Sequence, residues 1–115
     1  YRTISFKALL LMLIVSFNTQ VGAKDIHTLL GEANDAWRQK EYSRSQAIFQ
    51  RVVDVYGQRG NVHFGPKFGV IYYRKGLTEL KLADAARQAG QLAKSRKWFA
   101  KAKESFRICY EDFPN

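Results

Sequence analysis

The sequence predicts an all-α chain built as a short array of antiparallel helix hairpins. Three observations predict it. One pattern occurs twice: Tyr42, Ser45, Phe49, Val52 and Tyr56 return, in the same spacing, as Phe99, Ala102, Phe106, Cys109 and Phe113. Apolar residues recur at steps of three and four along most of the chain, the period of a buried helix face. Nothing alternates as a half-buried strand would. Val52-Val53 and residues 70–73 are β-prone, yet their neighbours keep helical spacing. An internal repeat implies similar units packed side by side.

Residues 1–23 stand apart. Arg2 and Lys7 are their only charges, and residues 8–17 are apolar except for Ser16. Val21-Gly22-Ala23 follows, with small residues suited to cleavage. A positive start, a short apolar core and a small-residue end describe a secretory signal peptide cut before Lys24. The apolar run is about half the length of a membrane-spanning helix. The rival expectation is an uncleaved N-terminal anchor.

Asp25 or Thr28 can cap the first helix, whose face is Leu29, Leu30, Ala33, Ala36 and Trp37. Residues 39–41 are a polar break. Tyr42 opens a second helix through Ser45, Phe49, Val52, Val53 and Tyr56. Residues 57–61, with two glycines, are expected to end it. Gly65-Pro66 suits the start of a third helix, with Phe68, Ile71, Tyr72, Gly76, Leu80 and Ala83 on one face. Gly76 costs about 1 kcal/mol against alanine in a helix interior, which suggests that another helix approaches closely there. Residues 85–97 read either as a loop with helical turns or as an N-terminal extension of the fourth helix. Trp98, Phe99, Ala102, Phe106, Cys109, Tyr110 and Phe113 form the last stripe, which Pro114 stops. The hairpins thus span about 27–57 and 66–113 of a domain covering 24–115.

The mature segment keeps 17 of the 19 Lys and Arg and all 10 Asp and Glu, a charge of +7. The cations are spread along the chain, as on a solvated helical surface. Nucleic acid is a poor match for an exported chain. A protein or acidic surface fits better. On the last helix Arg96, Lys103 and Arg107 flank the apolar stripe, where they can snorkel along it. The single cysteine, Cys109, rules out an internal disulfide and reads as a small buried hydrophobe.

These positions resemble the tetratricopeptide repeat family, in which a helix pair of about 34 residues carries small residues where its helices cross. Ala33 matches the small position of helix A, and Tyr42, Ser45, Phe49 and Val52 match helix B. In the second unit Gly76 matches the small position, Phe99, Ala102, Phe106 and Cys109 match helix B, and Pro114 matches the closing proline. Gly57 stands where proline is usual, and Lys40 replaces the common turn glycine. Against the family's unit length, about 15 extra residues lie between the helices of the second unit. The chain looks most like exported bacterial cell-envelope proteins of this kind. Two hairpins are few for such an array, so it is expected to continue beyond residue 115. One helix face, on 66–83 or 99–113, should then be under-buried.

Catalytic signatures are not found in the sequence. His27 and His63 have no ligand partner at helical spacing, and no Ser, His and Asp are placed as a triad. No phosphate loop follows a strand. The expectation is a non-enzymatic scaffold without cofactor or metal, working in the periplasm or cell envelope. A membrane-held module, or an accessory region of a larger enzyme, are the alternatives. Membrane contact would come only through residues 1–23. The resemblance implies a groove lined by the A helices that takes a protein or peptide. The groove residues it implies are Asn34, Trp37 and Arg38, then Tyr73, Leu77 and Lys81, with His27 beside them. Residues 34 and 38, like 73, 77 and 81, are one turn apart.

Overall fold

A computed structural model of the chain describes residues 25–63 and 67–113. The signal segment expected at 1–23, its cleavage site, Gly65-Pro66 and Pro114 lie outside the described residues. Four helices follow one another: α1 (Ile26–Arg38), α2 (Tyr42–His63), α3 (Phe68–Gln88) and α4 (Leu92–Asp112). The all-helical expectation holds among the described residues. The Asp25 carboxylate caps α1 by accepting from the Thr28 N–H at 2.9 Å. That bond holds its pKa below the ordinary value.

Both hairpins turn in the same way. At the first, the Lys40 N–H donates to the Trp37 carbonyl and the Glu41 N–H to the Ala36 carbonyl. At the second, Gly90 donates to Arg87 and Gln91 to Ala86. This is the Schellman end, which needs a left-handed residue. Lys40 takes that position with φ 62° and Gly90 with φ 77°. Each turn is followed by a serine that crosses to the partner helix: Ser45 Oγ donates to the Ala33 carbonyl at 2.9 Å, and Ser95 Oγ to the Ala83 carbonyl at 2.8 Å.

These bonds set the internal repeat to the offset that carries Ser45 onto Ser95. The register that matched Tyr42 with Phe99 is corrected. Phe49 now pairs with Phe99 and Ala33 with Ala83. Thr28 with Thr78, Leu30 with Leu80 and Ala36 with Ala86 also match at this spacing. The slip is one of seven positions and has a physical cause. Seven positions wind a helix only about 20° short of two full turns, so both registers place apolar residues on the same face. The insertion expected in the second unit disappears with the slip, since 85–97 contains the end of α3, a short turn and the start of α4.

Two further assignments change. Ala83, not Gly76, is the small crossing residue of the second hairpin. Gly76 instead meets Phe106, whose ring carbon would lie 2.8 Å from a Cβ built there. Close approach at Gly76 is therefore present, made by a side chain. And α2 does not stop at 57–61 but runs to His63. At Gly57 it lies against α3, where a Cβ would sit 3.7 Å from the Tyr72 hydroxyl. Packing there outweighs the helix penalty of glycine.

The core lies where α1, α2 and α3 meet: Ile26, Leu29, Ala33, Phe49, Val52, Phe68 and Ile71. Phe68, Tyr72 and Phe113 stack at one end, with ring centroids 5.9–6.1 Å apart. Cys109 is free and only half-buried. The most extensive contact is α3 on α4, and α2 packs on both α1 and α3.

Because the left-handed site at 40 holds a lysine, relief should be measurable. Lys40→Gly is expected to stabilise the chain by about 1 kcal/mol, and Gly90→Ala to destabilise it by about the same amount. Urea midpoints of the two variants check this.

Candidate groove between the first and third helices

The first and third helices, α1 and α3, make little direct contact with one another. Each packs on α2, so a groove opens between them with Phe49 of α2 as its floor. Two adjoining depressions of about 160 and 290 Å³ form it, and both include Asn34, Phe49 and Arg74. The α1 wall presents His27, Leu30, Asn34 and Trp37. Their steps of three and four keep them on one helix face.

The α3 wall carries Lys67, Val70, Ile71, Arg74, Leu77 and Thr78. Arg74 Nη1 donates across the groove to Asn34 Oδ1 at 2.8 Å, bridging the two walls. At the far end the Lys81 ammonium stands 6.0 Å from the centroids of both the Trp37 and Tyr42 rings. Those rings pack edge to face at 5.0 Å. Lys67, Arg74 and Lys81 recur at every second turn, so they form a cationic rail along α3 with a step of about 10 Å. No acidic side chain lines either depression. The chemistry offered is an apolar trough, a flat indole and a row of positive charge.

Of the residues expected from sequence, Asn34, Trp37 and Leu77 line the groove, as does His27. Lys81 stands at its end. Arg38 does not line it: it is exposed and pairs with Asp35 one turn back. Nor does Tyr73, whose ring tilts against Phe106 of α4 at 5.7 Å. Arg74 and Lys67 line the groove although sequence spacing did not select them. The recurrence of cations at 67, 74 and 81 was legible as a single face, but single-turn spacing from Tyr73 sets the groove's register on α3 one residue off.

Away from the groove lining, a buried polar cluster locks α3 to α2 and α4. Glu79 is 0% exposed. Its Oε1 accepts from Ser105 Oγ of α4 at 2.6 Å, and its Oε2 accepts from Gln46 of α2 at 3.0 Å and from Lys75 at 2.8 Å. Lys75 Nζ also reaches Ser105 Oγ at 3.0 Å. No buried side-chain polar atom among the described residues lacks a partner. A buried charge satisfied this way is tolerated, whereas a half-satisfied cluster is not.

Of the cations that flank the apolar stripe of α4, Arg107 is neutralised. Arg107 pairs with Glu104 and Glu111, both at 2.6 Å. Lys101 lies 5.2 Å over the Trp98 ring. Comparison with family models, with characterised proteins and with solved structures returns no match. The functional argument therefore stands on the chain's own residues and geometry.

Glu79→Leu should cost about 3–5 kcal/mol, because it strands the Lys75 charge in the interior. The double variant Lys75→Met with Glu79→Leu should lose clearly less. Denaturant unfolding of the single and double variants reads the difference as non-additivity.

Proposed function

We propose that this chain is a non-catalytic binding scaffold that holds an acidic, apolar segment of a partner protein in the groove between α1 and α3. The observation that carries the reading is the pairing of a cationic row, Lys67 and Arg74 in the lining and Lys81 over Trp37 at its end, with an apolar trough whose lining holds no acid. Aromatic and arginine anchors in a concave site are the usual energetic centres of protein recognition, and acidic segments are commonly taken by clustered cations. Leucine or aromatic residues of the partner would fill the trough over Phe49. Carboxylates spaced about 10 Å apart would meet the rail, a separation of two turns in a helix. Arg74 would exchange its bond with Asn34 for a charge-assisted one.

The architecture is proposed to be of the tetratricopeptide kind. Supporting this are the two antiparallel pairs, the serine-to-alanine crossings and the groove on the A-helix side. The period that carries Ser45 onto Ser95 exceeds the unit of roughly 34 residues in that family, and the extra length lies in the long α2 and α3, of 22 and 21 residues. Export to the periplasm or cell envelope of a bacterium is also proposed. It rests on the charge and apolar pattern of residues 1–23.

Selection of random peptides against the chain should enrich sequences that combine Asp or Glu with Leu, Phe or Trp. Arg74→Glu and Lys81→Glu should each weaken the selected peptide about tenfold, read by Trp37 fluorescence or anisotropy. Enrichment of basic peptides, or binding indifferent to both variants, would sink the reading. For the export reading, the chain expressed with residues 1–23 in a bacterial host should be recovered outside the cytoplasm with Lys24 as its first residue. Recovery with an intact leader would count against cleavage.

A further inference from the structure

The corrected repeat makes α2 and α4 counterparts, position by position, and this exposes a second surface. Positions that face the partner within each hairpin keep the same burial: Ser45 and Ser95 are buried, as are Val52 and Ala102. Positions on the other face diverge together. Tyr42 is half-buried while Leu92 is 57% exposed, and Phe49 is 1% exposed while Phe99 is 49%. Gln46 is buried and Val53 half-buried, whereas Arg96 and Lys103 are exposed. On α2 this face is covered by α3 together with α1: Gln46 bonds to Glu79 of α3, Phe49 packs among core residues of both helices, and Tyr42 packs on Trp37 of α1. On α4 the counterpart face is open: it stays apolar at Leu92 and Phe99 and turns cationic at Arg96 and Lys103.

We propose that the outer face of α4 docks an amphipathic helix of a partner protein that carries a carboxylate within its apolar face. The carboxylate follows from one substitution between the counterparts. Gln46 of α2 donates to Glu79 of the helix that covers it, at 3.0 Å. The same position on α4 is Arg96, which makes no ion pair among the described residues. A guanidinium facing a carboxylate forms a stronger, charge-assisted bond than an amide does. Lys103, in the place of Val53, adds a second cation further along the same face. Leu92 and Phe99 would be the apolar anchors.

A second copy of this chain suits the face less well. Two α4 faces opposed would bring Arg96 and Lys103 of both copies together. The α1 helix of another copy offers Leu29 where α3 has Glu79, so Arg96 would meet no acid there. The surface lies on a different helix from the groove and does not rest on the groove's proposed role.

The probe is a synthetic peptide of residues 68–88, the helix that already covers the counterpart face. A lactam between Lys81 and a glutamate introduced by Ala85→Glu holds it helical, as circular dichroism verifies. Fluorescence anisotropy should show saturable binding to the full chain. Phe99→Glu and Arg96→Glu should each weaken it about tenfold. A peptide carrying Glu79→Arg should recover binding to the Arg96→Glu chain. Arg74→Glu, in the groove, should leave binding unchanged. Residues 96 and 99 are exposed, so circular dichroism of those variants should match the parent. Absence of saturable binding overturns the proposal, as does binding of equal strength to the Phe99→Glu chain. So does light scattering that shows a dimer which Phe99→Glu converts to a monomer, since the face would then serve self-association.

Discussion

A carboxylate without access to water holds the centre of this molecule. Glu79 receives bonds from Gln46 of α2, from Ser105 of α4 and from Lys75 on its own helix. Its location makes the position of α3 relative to α2 and α4 a matter of hydrogen-bond geometry rather than of apolar contact alone. Apolar faces can slide by a turn with modest loss. A buried charge loses its partners if the helix shifts, and the penalty is that of an unpaired ion in a poor solvent. The cluster thus gives the packing one register, in the way that single buried polar groups do in other helical assemblies.

From that constraint the groove follows. With α3 held to α2 and α4, and α1 held to α2 through Ser45 and the core around Leu29 and Phe49, α1 and α3 are placed side by side without touching much. Their facing side chains bridge the gap through Arg74 and Asn34. A largely apolar trough with Asn34, Lys67 and Arg74 set into its walls is the result. The same stacking leaves apolar Leu92 and Phe99 exposed beside Arg96 and Lys103 on the outer face of α4.

The slip of two helical turns shows where sequence periodicity loses resolution. Helical faces repeat almost as well after two turns as after none, so aromatic spacing alone aligns Phe49 with Phe106. Ser45 and Ser95, with the other matches at their spacing, are present in the sequence. They become decisive only when both are seen to donate to the alanine carbonyls of the facing helix. Likewise Lys40 is legible as standing in a glycine's place, and its positive φ shows that the turn, not the residue, dictates the backbone. Single-turn spacing places Arg38 and Tyr73 in the groove. Such spacing names a face but not what the face meets.

By itself the sequence determined that the chain is helical and that it contains a repeated unit, with apolar faces at Leu29, Ala33, Phe49, Phe68 and Ile71. These follow from local periodicity and propensity, which each segment carries on its own. Only the tertiary structure decided the register that pairs Ser45 with Ser95, the burial of Lys75 and Glu79, the placing of Lys67 and Arg74 along the groove with Lys81 over Trp37, and the contrast between Phe49 and Phe99. Each of these depends on which helix lies across from which. That choice is settled by long-range contacts whose energies no local pattern records, and a buried ion pair in particular looks in the sequence like any solvated pair one turn apart.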